Sequence, residues 1–246
     1  MPSSTFSHPE YTFPTSFVIA KTHCGGRCVD CPPSRYLESI GTFKLQCLIG
    51  KRRVNVGNQT FENQDTSYPM DRVAKVIHLI RDPFSNIVSR FHMEIKGGRS
   101  GEGLTSSKDD FRQFCSDLNR KYEDDELRSV FMDIQVFQKL QNVPCRADFL
   151  RWLEWHNHAF SMASDANLNT LVVHYEEYMN DMPRATSKLL SFLELPARGE
   201  AHVFVGGKTY NDFFSAEEKR AVRDTFREMA TTQTWSHIEH YFKQDS

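Results

Sequence analysis

The chain has 246 residues, of which 39% are hydrophobic, a length that suits one large domain and is short for two. Its 30 Lys and Arg residues are balanced by 32 Asp and Glu residues, and a formal net charge of −2 excludes a broad basic surface for nucleic acid. No stretch reaches the roughly 18 to 20 apolar residues of a membrane span, and residues 1–17 lack the basic-then-apolar order of a signal peptide. We therefore expect one domain, no nucleic-acid partner and no membrane segment in this chain.

The first predicted element is a strand with the sequence FVIAK, from Phe17 to Lys21. It is short, partly β-branched and almost continuously apolar, and two later segments share this character: Val76–Ile80 (VIHLI) and Thr170–His174 (TLVVH). Apolar runs of this kind are typical of strands that are buried on both faces. They favour a parallel sheet.

Four of the six cysteines follow the first predicted strand closely: Cys24, Cys28, Cys31 and Cys47. Their spacing is compatible with two disulfides, with a tetrahedral zinc site and with free buried thiols. Disulfides are favoured, because the fourth cysteine is isolated rather than part of a second CxxC pair. The other two cysteines, Cys115 and Cys145, stand alone in the sequence.

The second predicted strand runs into Arg81-Asp82-Pro83, where Asp82 suits the N-cap and Pro83 the first position of a helix. Arg81 then lies at the carboxyl end of a strand and beside a helix amino terminus, an arrangement that favours a bound anion. The alternative is an ion pair between Arg81 and Asp82 or a neighbouring carboxylate. The helix carries an apolar stripe and a polar flank, formed respectively by Phe84, Ile87, Val88 and Phe91 and by Ser85, Ser89 and His92.

Apolar residues spaced three and four apart predict further helices. Because these helices would connect parallel strands, the pattern indicates an α/β fold. Ser215 with Glu218 matches a capping box, and Trp152, Trp155 and His156 are expected to belong to the core. The predicted helices are Asp109–Tyr122, Asp125–Leu140, Ala147–Ala163, Pro183–Leu193 and Ser215–Met229.

Three separated segments, in order, resemble the sulfotransferase superfamily that uses 3′-phosphoadenosine-5′-phosphosulfate (PAPS). Arg81-Asp82-Pro83 followed by Val88-Ser89 is similar to the family's 3′-phosphate-binding segment, so the resemblance assigns Arg81 and Ser89 to the 3′-phosphate. It also implies a three-layer α/β/α fold around a central parallel sheet, similar to P-loop nucleotide-binding proteins, in one sulfotransferase-like domain of residues 1–246.

The first strand ends in Lys21-Thr22-His23, which resembles the family tripeptide that carries the catalytic histidine. On a strand, Lys21 and His23 would point to the same side. His23 could then accept the proton of an acceptor hydroxyl, and Lys21 could offset charge on the transferred sulfuryl group. The alternative for His23 is a strand-end histidine that is bonded to the backbone.

The third segment, residues 171–196, resembles the strand, turn and helix in which the family lines its nucleotide site, with Tyr175 and Glu176 at the turn. A structural role for both residues is the alternative. Residues 206–214 (GGKTYNDFF) occupy the place of a segment that closes over the nucleotide, so Lys208 is a candidate phosphate contact, or a solvated loop lysine.

Family members carry a loop of Lys-Ser-Gly-Thr type for the 5′-phosphosulfate upstream of the Lys-Thr-His strand, and only 20 residues precede Lys21 here. We therefore expect an N-terminally incomplete domain. The predicted function is sulfuryl transfer from PAPS, with no metal, to a hydroxyl of a small-molecule or glycan acceptor, and a carbohydrate is favoured. We expect the Golgi lumen if the natural chain carries an upstream anchor, and the cytoplasm otherwise.

Two other hypotheses remain open. One is a truncated, non-catalytic module that binds the nucleotide through Arg81 and Ser89. The other is a zinc-stabilised interaction domain organised by the four clustered cysteines.

Overall fold

The computed structural model of the protein describes residues 19, 21–24, 40–57, 60–67, 69–97, 103–128, 133–199, 210 and 212–245. The early elements are helix α1 (Ile40–Leu48), strands β1 (Ile49–Gly57) and β2 (Thr60–Ser67), a 3₁₀ turn (Met70–Arg72), strand β3 (Lys75–Ile80) and helix α2 (Pro83–Lys96). They are followed by α3 (Lys108–Arg128), α4 (Ile134–Leu140), α5 (Arg146–Asp165), strand β4 (Asn169–His174), α6 (Tyr175–Asn180), α7 (Met182–Leu193), α8 (Ala216–Met229), α9 (Thr232–Ile238) and a 3₁₀ segment (Glu239–Asp245).

The strands form two separate pairs in the described ranges. β3 pairs with β4 in parallel, from Lys75 opposite Asn169 to Ile80 opposite His174. The two predicted strands and their parallel direction are therefore confirmed, and each strand begins one residue earlier than expected. Of the predicted first strand, only Ile19 and Lys21 are described, and neither belongs to a strand; its other residues lie outside the described ranges.

The second pair is an antiparallel hairpin of β1 and β2, which sequence analysis did not predict. Both strands are rich in polar residues, IGKRRVNVG and TFENQDTS, and lack the continuous apolar run that marks a buried strand. Gly57 ends β1 with a φ of 114°, a conformation that glycine adopts without a steric penalty. The hairpin therefore lacked the apolar signal on which the strand predictions depended.

Most of the predicted helices are confirmed. Helix α5 extends the predicted segment by one residue at its start and two at its end, and α7 begins one residue early. The Ser215–Glu218 capping box is present at the start of α8. The prediction of a helix from Asp125 to Leu140 was wrong, because α3 continues to Arg128 and the separate helix α4 begins only at Ile134. Helices α1, α6 and α9 were not predicted.

The main core lies where α5 packs against α2, α3 and α8. The predicted apolar stripe of α2 is buried as expected, and its rings meet aromatic side chains of the neighbouring elements edge to face. Cys115 on α3 and Cys145, which precedes α5, are fully buried in this core and form a disulfide. The two cysteines had no predicted partner, because only the tertiary contact of α3 with the start of α5 brings them together. The stripe and its aromatic neighbours are Phe84, Ile87, Val88, Phe91, Phe111, Phe149 and Phe214.

The described residues therefore form a mostly helical α/β structure with a small parallel sheet of two strands. Within these ranges, no helix combines the length and the apolar character needed to cross a bilayer.

Candidate functional site

The carboxyl ends of β3 and β4 meet at one edge of the parallel sheet. Ile80 lies opposite His174. The residues that follow the two strands, Arg81 and Tyr175, therefore emerge at the same edge of the sheet. The Arg81 guanidinium carbon lies 4.5 Å from the centre of the Tyr175 ring. The structure therefore brings together two of the residues that the sequence predicts for nucleotide binding.

Arg81 is stacked on a ring rather than paired with a carboxylate. Its Nε atom is buried, and no hydrogen-bond acceptor for this atom is found among the described residues. In the same ranges, no carboxylate lies within 4.0 Å of the guanidinium group as an ion-pair partner. The geometry thus does not support the alternative of an Arg81–Asp82 ion pair. A stacked guanidinium keeps its planar set of N–H donors for an anion.

Helix α2 begins beside Arg81 in the predicted way. Asp82 is its N-cap, and its Oδ1 atom accepts a hydrogen bond of 2.6 Å from the Ser85 N–H, while Pro83 takes the first helical position. Burial raises the pKa of the Asp82 carboxyl, and nearby Glu176 adds to the increase, whereas the bonds from Ser85 and the charge of Arg81 oppose it. The amino end of a 14-residue helix favours negative charge near Arg81.

The polar flank of α2 leads toward the carboxyl-terminal part of the chain. Ser89 is half-buried, two turns into the helix. On the same flank, His92 Nδ1 lies 3.1 Å from the hydroxyl of Tyr210, which is buried. Lys208, two residues before Tyr210, lies outside the described residues. The contact with His92 nevertheless connects the segment predicted to close over the nucleotide to helix α2.

A hydrogen-bond network joins the two strand ends and was not predicted. Glu176, in the first turn of α6, accepts a bond of 3.0 Å from the Asp82 N–H through Oε1 and a bond of 2.8 Å from the Tyr241 hydroxyl through Oε2. The same hydroxyl lies 2.8 Å from His174 Nδ1. Burial, with Glu176 next, raises the pKa of Tyr241, so the phenol keeps its proton.

Two buried histidines lie on the core side of β3. His78 Nε2 and His156 Nδ1 are 2.7 Å apart. Burial, with smaller effects of His237 and His174, lowers the pKa of His78 to about 4. Burial and His78 also hold the pKa of His156 well below its ordinary value. The expected core position of His156 and Trp152 is confirmed. Both histidines are neutral near pH 7, so the N–H of one ring donates a hydrogen bond to the unprotonated nitrogen of the other.

The Lys21-Thr22-His23 segment is anchored to two helices. Cys24 forms a disulfide with Cys47 of α1, and the Trp155 indole N–H of α5 donates a bond of 2.9 Å to the His23 carbonyl. Lys21 is exposed and His23 half-buried. The three residues belong to no strand in the described ranges, so the expectation that Lys21 and His23 share one face of a strand stays a prediction. Cys24 turns the chain there with a φ of 44°.

Trp155 was expected only in the core, but it does more than fill space. Besides holding the His23 carbonyl, its ring contacts Phe43 of α1 and His78 of β3, at centroid distances of 5.8 and 5.5 Å. A tryptophan indole N–H that is removed from water needs an acceptor, which was the only signal in the sequence for this role.

The cysteine pattern is partly resolved. The disulfide between Cys24 and Cys47 removes two of the four thiolates on which a zinc site would depend. The hypothesis of a zinc site formed by all four clustered cysteines was therefore wrong. Cys28 and Cys31 lie outside the described residues. The described ranges contain no group of three or more His, Cys, Asp or Glu side chains that could hold a metal ion.

A family model described as a sulfotransferase domain matches residues 66–241, which is more than half of the chain. The match includes Arg81, Ser89, Tyr175 and Lys208, and it begins after Lys21 and His23. No curated protein and no solved structure matches the chain significantly.

Proposed function

The chain belongs to the sulfotransferase domain family, and from this premise we propose that it transfers a sulfuryl group from PAPS to a hydroxyl of a carbohydrate acceptor. Family membership supports sulfotransfer as the general activity and a small molecule as the acceptor. PAPS as the donor and a carbohydrate as the acceptor are the finer parts of the proposal, and so is a single domain over residues 1–246 with a three-layer arrangement similar to P-loop proteins.

The observation that carries the proposal is the stacked Arg81. Its guanidinium lies on Tyr175 at the carboxyl edge of the parallel strands, with a buried Nε atom that has no acceptor in the described part of the chain. A buried, uncompensated donor is costly unless a ligand satisfies it. A phosphate group fits this need, because it accepts bidentate bonds from arginine and is favoured by the amino end of α2. We assign the 3′-phosphate to Arg81 and Ser89.

His23 is the proposed general base and Lys21 the proposed stabiliser of negative charge. The imidazole takes the proton of the acceptor hydroxyl while the hydroxyl oxygen bonds to sulfur and the bond from sulfur to the phosphate oxygen breaks. The products are a sulfate ester, 3′-phosphoadenosine-5′-phosphate and a protonated His23. Catalysis of this in-line displacement depends mainly on positioning and charge, as in phosphoryl transfer. The Trp155 bond and the Cys24 disulfide support the required position of His23.

Titration with 3′-phosphoadenosine-5′-phosphate tests the nucleotide site directly. We expect wild-type protein to bind it and Arg81→Ala to bind at least tenfold more weakly, because a charge-assisted hydrogen bond contributes roughly 1.5–3 kcal/mol. Arg120→Ala is the matched control, since it removes the same charge from a side chain on α3 that is 75% exposed. Absence of binding to the wild type, or equal binding by both variants, would contradict the proposal.

Transfer is tested separately, with PAPS labelled in the sulfuryl group and a panel of carbohydrate acceptors. We expect label in the acceptor with wild-type protein and its loss with His23→Ala. Nucleotide binding without transfer by the wild type would instead favour a non-catalytic nucleotide-binding module.

A further inference from the structure

Tyr241 has no part in the proposed chemistry, yet it contacts both strand ends of the site. It belongs to the 3₁₀ segment near the end of the described chain, where its neighbour Phe242 is buried in the main core. Its hydroxyl bonds to Glu176 and His174, which are 65 and 67 residues away in the sequence. The carboxyl-terminal segment therefore reaches across the edge of the sheet to the residues that flank Arg81 and Tyr175.

The bonds of this hydroxyl have a defined direction. The single phenolic proton is donated to Glu176 Oε2. The phenol oxygen must then act as the acceptor toward His174 Nδ1, which fixes the imidazole in the tautomer with the proton on Nδ1. One oxygen atom thus connects the last residue of β4 to the first turn of α6.

Glu176 extends the connection to the other strand. Its second oxygen accepts the backbone N–H of Asp82, the residue that follows Arg81. This bond fixes the peptide unit after Arg81 and with it the direction in which that side chain leaves the backbone. Both carboxylate oxygens of Glu176 are therefore engaged, one by Tyr241 and one by Asp82.

We propose that Tyr241 is a positioning residue that binds Glu176 and thereby keeps Arg81 free of a carboxylate and stacked on Tyr175, ready for the 3′-phosphate. The inference rests on the proposed function and adds a residue to it. Without the phenol hydroxyl, Glu176 Oε2 loses its hydrogen-bond donor, and the Glu176 carboxylate is free to rotate. The charges of Arg81 and Glu176 both act on the Asp82 carboxyl, which places Arg81 as the cation at this strand end. A carboxylate that pairs with Arg81 competes directly with phosphate.

The experiment compares two nucleotides on the full chain: 3′-phosphoadenosine-5′-phosphate and 5′-AMP, which lacks the 3′-phosphate. Tyr241→Phe keeps the ring and removes only the phenol oxygen. We expect its affinity for 3′-phosphoadenosine-5′-phosphate to fall about tenfold, with the affinity for 5′-AMP unchanged, because only the 3′-phosphate contacts Arg81.

Tyr122→Phe is the matched control. Tyr122 is buried on α3, and its phenol oxygen has no hydrogen-bond partner among the described residues. This variant should leave the affinities for both nucleotides unchanged.

A second variant separates positioning from general support of the fold. In the Tyr241→Phe background, Glu176→Gln keeps an oxygen for the Asp82 N–H but removes the charge that competes for Arg81. We expect the double variant to regain the wild-type affinity for 3′-phosphoadenosine-5′-phosphate, a rescue that a merely structural role of the phenol would not produce.

The possible outcomes are distinct. An unchanged affinity of Tyr241→Phe, an equal loss for both nucleotides, or failure of the rescue overturns the role of Tyr241 alone. Wild-type protein that does not prefer 3′-phosphoadenosine-5′-phosphate over 5′-AMP overturns the proposed function, and the positioning role with it.

Discussion

Removal of each disulfide in turn separates the stability of the protein from the positioning of His23. The Cys24–Cys47 and Cys115–Cys145 bonds close loops of 23 and 30 residues. Loop-closure entropy gives about 3.5 kcal/mol of stabilisation for either loop. The two cross-links are thus matched in their expected effect on the free energy of unfolding, and alanine replacements avoid burying a new hydroxyl.

Their expected effects on catalysis differ. Cys115 and Cys145 join α3 to α5 inside the core, and neither adjoins a residue of the proposed site. Cys24 directly follows His23, so its bond to α1 restrains the proposed base. We expect the Cys24→Ala/Cys47→Ala protein to lose at least tenfold in kcat at a temperature where it remains folded, since a displacement of about 1 Å can cost a factor of roughly one hundred. The other pair should retain kcat.

Urea unfolding would measure stability, and transfer of labelled sulfuryl from PAPS would measure kcat, on the same preparations. Affinity for 3′-phosphoadenosine-5′-phosphate serves as an internal check, because Arg81 follows β3 and is attached to neither disulfide. It should be unchanged in both double variants. An equal loss of kcat in the two proteins, or full kcat without the Cys24–Cys47 bond, would refute the reasoning that this disulfide positions His23.

Two further predictions concern the residues between β3 and the Lys21–Cys24 segment. Because the pKa of His78 is lowered to about 4 in the folded protein, the unfolded chain binds more protons between pH 6.5 and 4, so stability is full above pH 6.5 and falls as the pH decreases through this window. Urea unfolding should show a loss of about 2 kcal/mol between pH 7.5 and 5 from this group, and constant stability over that range would count against a buried neutral His78. Trp155→Phe removes the donor to the His23 carbonyl and should lower kcat several-fold while the KM for PAPS stays constant; a change in KM alone would disprove the assignment.

The predictable parts of this protein are those with a local cause. Asp82 and Pro83 specify the start of α2 through their own backbone preferences, and the apolar stripe of that helix follows from its period. The meeting of Arg81 and Tyr175 was predictable in outline, since parallel strands place their carboxyl ends at one edge. The register that puts Ile80 opposite His174, and so stacks the two side chains, depends on packing across the whole sheet.

The parts that sequence analysis missed depend on tertiary contacts without a local signal. Tyr241 looks like any aromatic residue of an amphipathic segment, and its role exists only because the carboxyl-terminal segment crosses the sheet edge. The Cys115–Cys145 bond likewise requires α3 to lie against the start of α5. Lys21 and His23 were placed at a strand end by their apolar context, but the left-handed turn at Cys24 and the bond from Trp155 to the His23 carbonyl had no local signal.

Strand β3 connects the two halves of the proposed site. It ends at Ile80, directly before Arg81, and its residue His78 contacts the Trp155 ring at a centroid distance of 5.5 Å. Trp155 in turn holds the backbone of His23. The proposed base and the proposed phosphate contact are thus positioned against one strand, through a buried histidine whose lowered pKa keeps it neutral at pH 7. A charged His78 imidazole would repel neighbouring N–H donors and attract water to its contact with Trp155. Protonation of His78 would therefore disturb the position of His23 as well as the core. The neutrality of His78 is therefore as relevant to the geometry of the site as it is to stability.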